Sequence, residues 1–101
     1  MTPRPELSIV VPAYNEEAVI GQLVASVRAE VPAHAADWEL LVVDDGSPDN
    51  TAEVMREWTA TDPRIIYLKV PRQGNIAKVS NVALQKAKGE FIAILDDGGN
   101  L

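Results

Sequence analysis

The sequence predicts an α/β fold, in which helices cover both faces of a parallel β-sheet. Four short apolar runs lack the alternation of polar and apolar residues that half-exposed strands show, which indicates strands buried on both faces. Between these runs, three segments repeat their apolar residues at helical spacing. The predicted order is β-α-β-α-β-α-β in a chain of 101 residues, the length of one domain.

The first strand and the first helix are predicted in the N-terminal third of the chain. The apolar run at residues 7–11 predicts the strand. Asn15 is predicted to cap the helix, because its side chain can accept a hydrogen bond from a free backbone amide. Glu16 and Glu17 then fall in the first turn, where the helix dipole favours acids, and Pro32 is predicted to end the helix.

The later elements follow from the same signals. Strands are predicted at residues 38–43, 65–68 and 90–95. Residues 47–50, which read Ser-Pro-Asp-Asn, supply the cap of the second helix. The third helix is predicted to stop at Gly89, because glycine accepts the backbone conformation that often ends helices.

Two pairs of aspartates follow predicted strands. Asp44 and Asp45 follow the second strand, and Asp96 and Asp97 follow the fourth. Right-handed crossovers bring the carboxyl ends of parallel strands to one edge of the sheet, where open α/β sheets bind ligands. Two acid pairs at that edge suggest a polyhydroxylated or metal-bound ligand.

The first pair allows two interpretations. A carboxylate at a strand end can accept hydrogen bonds from ribose hydroxyls or from the edge of a base. Alternatively, Asp44 and Asp45 cap the next helix and satisfy backbone amides of the loop. In either case Gly46 permits a tight turn or the close approach of another backbone segment.

The second pair suggests a site for a divalent metal. Mg²⁺ and Mn²⁺ prefer carboxylate oxygens together with substrate phosphates. Adjacent side chains on an extended strand point to opposite faces, so Asp96 and Asp97 need a turn to reach one ligand. Gly98 and Gly99 allow such a turn.

The composition excludes several classes of protein. With a net charge of −6 and 5% aromatic residues, the chain lacks the basic surface of a nucleic-acid-binding protein. The absence of cysteine excludes disulfides and favours a reducing compartment, which predicts a cytoplasmic location, with the cytoplasmic face of a membrane as an alternative for a longer protein. The apolar runs are too short to span a membrane. Arg72 and Lys78 are either solvated surface residues or contacts for phosphate groups.

Several segments together resemble family 2 glycosyltransferases, inverting enzymes of the GT-A fold that use nucleotide sugars. Residues 8–17 (SIVVPAYNEE) are similar to the family's opening strand and loop, and residues 42–51 (VVDDGSPDNT) to its second strand and turn. Residues 62–65 (DPRI) and 88–92 (KGEFI) match later positions. The resemblance covers nearly the whole chain and implies a three-layer, Rossmann-like sheet with strand order 3-2-1-4.

The resemblance also implies a site for the nucleotide-sugar donor. The residues implied to contact the nucleotide are Pro12, Tyr14, Glu16, Asp44, Asp45, Arg72 and Asp96. The first three would line the base pocket. Asp45 would bind the base or the ribose with Asp44 in support, and Arg72 would lie near the site. A UDP-sugar is favoured as the donor over a GDP-sugar, and the acceptor is left open.

One departure from the family concerns the metal. The family's fourth strand usually ends in Asp-x-Asp, whereas the aligned residues here are Asp96, Asp97 and Gly98. Glycine therefore stands where the metal-holding acid is expected. Either Asp97 takes that role through a shifted loop, or the site holds Mn²⁺ or Mg²⁺ weakly.

A second departure concerns length. Family members continue well beyond 101 residues, and their later half supplies the acceptor site and the catalytic base. The resemblance therefore implies that residues 1–101 are the nucleotide-sugar-binding half of the enzyme. Such a chain is expected to bind nucleotide weakly and to transfer nothing, since inverting transfer needs a base within reach of the acceptor hydroxyl.

Two other functions compete with this interpretation. The first is a noncatalytic interaction module, because residues 91–95 form a predicted edge strand that is apolar on both faces and could pair with a second copy. The second is a phosphorelay receiver, which also uses acids at the edge of an α/β sheet. A receiver would need acids after the first strand, where this chain has Pro12, and a lysine after a late strand.

Overall fold

A computed structural model describes residues 5–15, 17–33, 35–72 and 74–95. Seven main elements follow one another in the predicted order: β1 Leu7–Ala13, α1 Ile20–Glu30, β2 Trp38–Asp45, α2 Thr51–Thr61, β3 Ile65–Val70, α3 Ile76–Lys86 and β4 Phe91–Ile94. A short 3₁₀ turn, Val31–Ala33, follows α1 and contains Pro32, so the α-helix ends just before that proline as expected.

The four strands form one parallel sheet in the order β3-β2-β1-β4. This is the α/β architecture expected from the sequence patterns and the 3-2-1-4 strand order implied by the family resemblance. β1 pairs with β2 from Leu7 opposite Trp38 to Ala13 opposite Asp44. The strand order reverses between β1 and β4, which is where such sheets form a ligand-binding crevice.

Each face of the sheet carries its own core. Successive side chains of a strand point to opposite faces, so a continuous apolar run feeds both cores. On one face Val11, Leu40 and Val42 pack with α1 and α2, and on the other Val10 and Leu41 pack with α3. Each such side chain stabilises the fold by roughly 1.5–3 kcal/mol when it is fully buried.

The prediction that Asn15 caps the first helix is wrong. α1 begins at Ile20, and Asn15 lies in the preceding loop with a left-handed φ of 59°. Glu17 therefore also precedes the helix. Tertiary contacts override the local capping signal, because the Asn15 amide donates to the Ser47 hydroxyl and the Glu17 amide to the Asp49 carboxylate. The loop is held by the loop beside it and not by the helix it precedes.

The prediction that residues 47–50 supply the cap of the second helix is confirmed at Asp49, whereas the N-cap residue itself, Asn50, makes no side-chain cap hydrogen bond. The Asp49 carboxylate accepts hydrogen bonds from the amide and the hydroxyl of Thr51, the first residue of α2. The preceding strand is longer than expected, since β2 extends through Asp45 and includes both aspartates. β3 likewise extends to Val70.

A buried polar cluster closes the opposite, amino-terminal edge of the sheet. The Ser8 hydroxyl donates to the Glu39 carboxylate and accepts from the Gly89 amide at 2.7 Å, and the Lys88 amide also donates to Glu39 at 2.7 Å. α3 has already ended at Lys86, so Gly89 does not stop it as predicted. Glycine is needed there because a Cβ would lie 2.6 Å from the Ser8 amide nitrogen.

Candidate functional site

Tyr14, Asp45 and Arg72, which we call the rim cluster, meet at the carboxyl edge of the sheet. The Arg72 guanidinium donates to the Asp45 carboxylate, which also accepts from the Gly74 amide at 3.1 Å. The same guanidinium lies over the Tyr14 ring, with its carbon 3.7 Å from the ring centroid. Three of the residues singled out in the sequence, far apart along the chain, are therefore in direct contact.

Gly46 lets the loops of the rim cluster approach each other. Its φ is 69°, a conformation that costs little only for glycine. A Cβ at this position would lie 2.8 Å from the Arg72 backbone nitrogen. Of the two roles suggested for Gly46, the close backbone approach is confirmed.

Asp44 is buried directly behind the rim cluster. Its carboxylate accepts hydrogen bonds from the Ser47 amide, at 2.8 Å, and from the Tyr67 hydroxyl. Burial, together with the hydrogen bond to Asp44, raises the pKa of Tyr67, which therefore stays protonated and able to donate. Of the two interpretations of Asp44, this geometry agrees with the one in which it satisfies a loop amide.

The loop after β1 and the loop after β2 bind each other through polar contacts. Ser47 accepts from the Asn15 amide at 2.7 Å. Farther along, the Glu17 amide donates to Asp49 at 3.0 Å, and the Asn50 amide donates back to Glu17 at 3.2 Å. Sequence reasoning assigned Glu17 to a helix turn and missed this pairing, which no local pattern signals.

The rim cluster combines chemical groups that suit a planar, hydrogen-bonding ligand. The Tyr14 residue is 39% exposed and the Arg72 side chain 50%, whereas the Asp45 side chain is only 6% exposed. An aromatic face and a guanidinium can both stack on a heterocycle, and a nearly buried carboxylate can accept hydrogen bonds from it. The exposed Arg72 guanidinium, which lies over the Tyr14 ring, is thus held in place by the buried Asp45 carboxylate.

Comparison with known proteins identifies the family. The family model described as glycosyl transferase family 2 matches residues 8–97. The chain belongs to this family.

Curated relatives of family 2 share about a third or more of their aligned residues with the chain. It is 41% identical over 90 residues to the UDP-Glc:alpha-D-GlcNAc-diphosphoundecaprenol beta-1,3-glucosyltransferase WfgD of Escherichia coli, covering 89% of the chain and 34% of that protein. It is 32% identical to the putative teichuronic acid biosynthesis glycosyltransferase TuaG of Bacillus subtilis, covering 92% and 36%. The chain therefore spans about a third of the length of these relatives.

Solved structures have the same fold and belong to GT-A glycosyltransferases. TarS 1–349 of S. aureus, in complex with UDP, has a TM-score of 0.79 at 31% identity, over 90% of this chain and 27% of that one. The mannosyltransferase PcManGT of Pyrobaculum calidifontis, in complex with GDP-Man and Mn²⁺, has a TM-score of 0.75 at 32% identity, over 94% and 28%. The resemblance to family 2 and the GT-A fold class are confirmed.

The remaining candidate residues lie outside the rim cluster. Pro12, which the family resemblance implied, is buried in β1 and pairs with Val43 of β2. Lys78, considered from its position in the sequence as a phosphate contact, is exposed on α3. Glu16, Asp96 and Asp97 lie outside the described residues.

The described residues do not by themselves fit a metal ion. In this part of the chain no three acidic, histidine or cysteine side chains converge as metal ligands. Asp44 and Asp45 already accept hydrogen bonds from neighbouring groups of the protein.

The described helices also bear on membrane association. None of them is both long enough and apolar enough to cross a bilayer.

Proposed function

We propose that this chain binds the nucleoside diphosphate of a nucleotide-sugar donor, as part of a glycosyltransferase that passes the sugar to an acceptor hydroxyl. The observation that carries the proposal is the rim cluster, in which a stacking surface and a buried carboxylate converge at the ligand-binding edge of the sheet. The complexes of TarS with UDP and of PcManGT with GDP-Man support it. A UDP-sugar is favoured over a GDP-sugar.

In this proposal each residue of the rim cluster has its own role. The Tyr14 ring offers one face to the base, and Asp45 accepts a hydrogen bond from the base or the ribose. Arg72 holds the Asp45 carboxylate in place and covers the Tyr14 ring. Asp44 supports Asp45 from behind through the bonds that order the following loop.

Glu16 and Asp96 complete the proposed nucleotide contacts, and Pro12 lines the base pocket from β1. The Mn²⁺ bound to PcManGT supports a divalent metal in this family, with Asp96 and Asp97 as the proposed ligands in this chain. Such a metal would stabilise negative charge on the departing diphosphate.

We further propose that residues 1–101 form one donor-binding unit and that the acceptor base lies elsewhere in the enzyme. An inverting transfer needs a carboxylate that can deprotonate the acceptor hydroxyl. Asp44 is fully buried and Asp45 is assigned to the nucleotide, so neither suits that role. The chain spans about a third of the length of its relatives, which supports a separate location for the acceptor base. A cytoplasmic location stays a prediction from the sequence.

Titration with UDP tests the proposed function. In ¹H–¹⁵N NMR spectra the amides of Tyr14, Asp45 and Gly74 are expected to shift at millimolar UDP, and Mn²⁺ is expected to broaden signals near the carboxyl end of β4. Asp45→Asn is expected to weaken UDP binding by roughly ten- to a hundredfold, because a hydrogen bond to a charged group contributes roughly 1.5–3 kcal/mol. Asp37→Asn, the same change at an exposed position at the opposite edge of the sheet, serves as the control. An unchanged spectrum near Asp45 at millimolar UDP would refute the proposal.

A second candidate function is self-association through β4. Within the described residues β4 pairs only with β1, and it exposes 64% of Phe91, 44% of Ile92 and 48% of Ile94. An apolar edge strand with free backbone groups can pair with a second copy of itself. This observation favours an interaction module, and it is compatible with nucleotide binding, which uses the carboxyl ends of the strands and not the lateral edge of β4.

Sedimentation tests the self-association proposal. The wild-type chain is expected to show a concentration-dependent dimer that Ile92→Lys abolishes, since a charge on the edge strand opposes pairing. Leu84→Lys, on the exposed surface of α3, is the matched control and is expected to leave the dimer intact. A wild-type chain that stays monomeric at high concentration would contradict the proposal.

A further inference from the structure

We propose that Tyr67 is a positioning residue for the nucleotide site, acting on Tyr14 without touching the ligand. It does so through a chain of hydrogen bonds that we call the Tyr67 relay, whose members are Tyr67, Asp44, Ser47 and Asn15. The inference rests on the proposed function, and neither Tyr67, Ser47 nor Asn15 was among the site residues expected from the sequence.

The first link joins β3 to the end of β2. Tyr67 pairs with Val42, and since side chains two residues apart share a face, it lies on the same face as Asp44. Its hydroxyl donates to one carboxylate oxygen of Asp44, which is fully buried. A buried carboxylate is strongly destabilised when it lacks donors, so this bond constrains where the Asp44 side chain can lie.

The second link joins β2 to the loop that follows it. The other oxygen of Asp44 accepts from the Ser47 amide at 2.8 Å, across Gly46 with its left-handed φ of 69°. Ser47 is itself buried, so its hydroxyl has few alternative partners. The orientation of Asp44 therefore sets the position of the Ser47 hydroxyl.

The third link reaches the rim cluster. The Ser47 hydroxyl accepts from the Asn15 amide at 2.7 Å, and this amide belongs to the peptide that joins Tyr14 to Asn15. The bond thus holds the peptide plane next to the Tyr14 Cα. Asn15 adopts a left-handed φ of 59°, which is unfavourable for a residue with a Cβ and needs support from its surroundings.

Tyr67 does not itself belong to the rim cluster. Its ring packs against the core on the face of the sheet covered by α1 and α2, and only its hydroxyl enters the relay. Removing this hydroxyl leaves the aromatic ring, its core contact and all three residues of the rim cluster unchanged in the sequence. A loss of UDP affinity would then show that Tyr67 helps to position the rim cluster.

The test compares two substitutions that each remove one hydroxyl donor from a buried carboxylate. Tyr67→Phe removes the donor to Asp44 at the carboxyl edge, and Ser8→Ala removes the donor to Glu39 at the opposite edge. Both variants are expected to lower the unfolding temperature. Only Tyr67→Phe is expected to weaken UDP binding, by about fivefold, which corresponds to about 1 kcal/mol.

NMR supplies a readout that a merely structural role would not move. In the ligand-free chain, Tyr67→Phe is expected to shift the amide signals of Ser47 and Asn15, which Ser8→Ala leaves in place. Ser47→Ala, which removes the acceptor of the third link, is expected to weaken UDP binding to a similar extent. The UDP affinities are measured well below the unfolding temperature of the least stable variant, so that every variant is compared in its folded state.

The outcomes separate this inference from the proposed function. Equal UDP affinity in the Tyr67→Phe and Ser8→Ala variants, with wild-type binding intact, would overturn the role of Tyr67 alone. A wild-type chain that does not bind UDP would overturn the proposed function. The Tyr67 relay would then be upheld or overturned by the Ser47 and Asn15 amide shifts.

Discussion

Replacing Gly46 with alanine tests the close contact between the two loops of the rim cluster. Gly46→Ala adds a Cβ at a residue whose φ is 69°, which costs roughly 1–2 kcal/mol for an L-residue. The same Cβ would lie 2.8 Å from the Arg72 nitrogen and 3.1 Å from its Cα, so backbone has to move. Overpacking of this kind adds roughly 1–3 kcal/mol. The expected loss of unfolding free energy is therefore about 2–5 kcal/mol.

Gly74→Ala is the matched control for this substitution. Gly74 has nearly the same φ, 68°, but a Cβ there would meet no atom within 4 Å. The Gly74→Ala variant should lose only the part of the unfolding free energy that comes from the left-handed backbone conformation, roughly 1–2 kcal/mol. The difference between the two variants then measures the contact with Arg72.

Urea unfolding with linear extrapolation measures both losses. Small domains are stable by about 5–15 kcal/mol, so the less stable variant should still give a measurable transition. We also expect Gly46→Ala to weaken UDP binding more than Gly74→Ala, because Arg72 would be displaced from Asp45 and Tyr14. Equal free-energy losses in the two variants would refute the close-contact argument.

Two further predictions concern Asp62 and Arg72. The Arg64 side chain, hydrogen-bonded to Asp62, lowers the pKa of that carboxyl to about 2, below its ordinary value of 3.8. Because the pKa of Asp62 is depressed in the folded state, the ionised carboxylate stabilises the fold above about pH 4, and this stabilisation is lost as the pH falls towards 2. It amounts to about 1–2 kcal/mol of unfolding free energy after allowing for the half-exposed arginine. Asp62→Asn should remove this pH dependence, measured as unfolding free energy between pH 2 and 5, and an unchanged slope would contradict the assignment. Arg72→Lys should weaken UDP binding about fivefold, since lysine keeps the charge but loses the planar stack on the Tyr14 ring. Calorimetric titration with UDP measures this loss, and Lys86→Arg is the control. Equal UDP affinities of the wild-type chain and the Arg72→Lys variant would count against the stack.

The strands were predictable because their signals are local and strong, whereas their order was expected from the family resemblance. A continuous run such as residues 40–43 can only be satisfied by burial on both faces, and helical spacing between such runs implies right-handed crossovers. The α2 cap was also correct, because Asp49 needs only the neighbouring Thr51 to act.

The errors occurred where distant residues compete with local preferences. Asn15 has the chemistry of a helix cap, yet its amide is bound by Ser47, 32 residues away. Gly89 suggests a helix stop, but its small size serves the contact with Ser8 on β1. In both cases the residue type suits the predicted helix end, but in the structure the residue makes a tertiary contact in place of that role.

By itself, the sequence determined the α/β class and the placement of Tyr14, Asp45 and Arg72 at one edge, because burial and chain direction follow from local patterns. The strand order was expected only from the family resemblance. Only the tertiary structure decided which of these residues touch and what holds them. The pairing of Arg72 with Asp45, and the route from Tyr67 through Asp44 to the Tyr14 loop, join two strands to the loops that follow β1, β2 and β3. Such contacts arise only once the sheet has brought those strand ends within hydrogen-bonding distance.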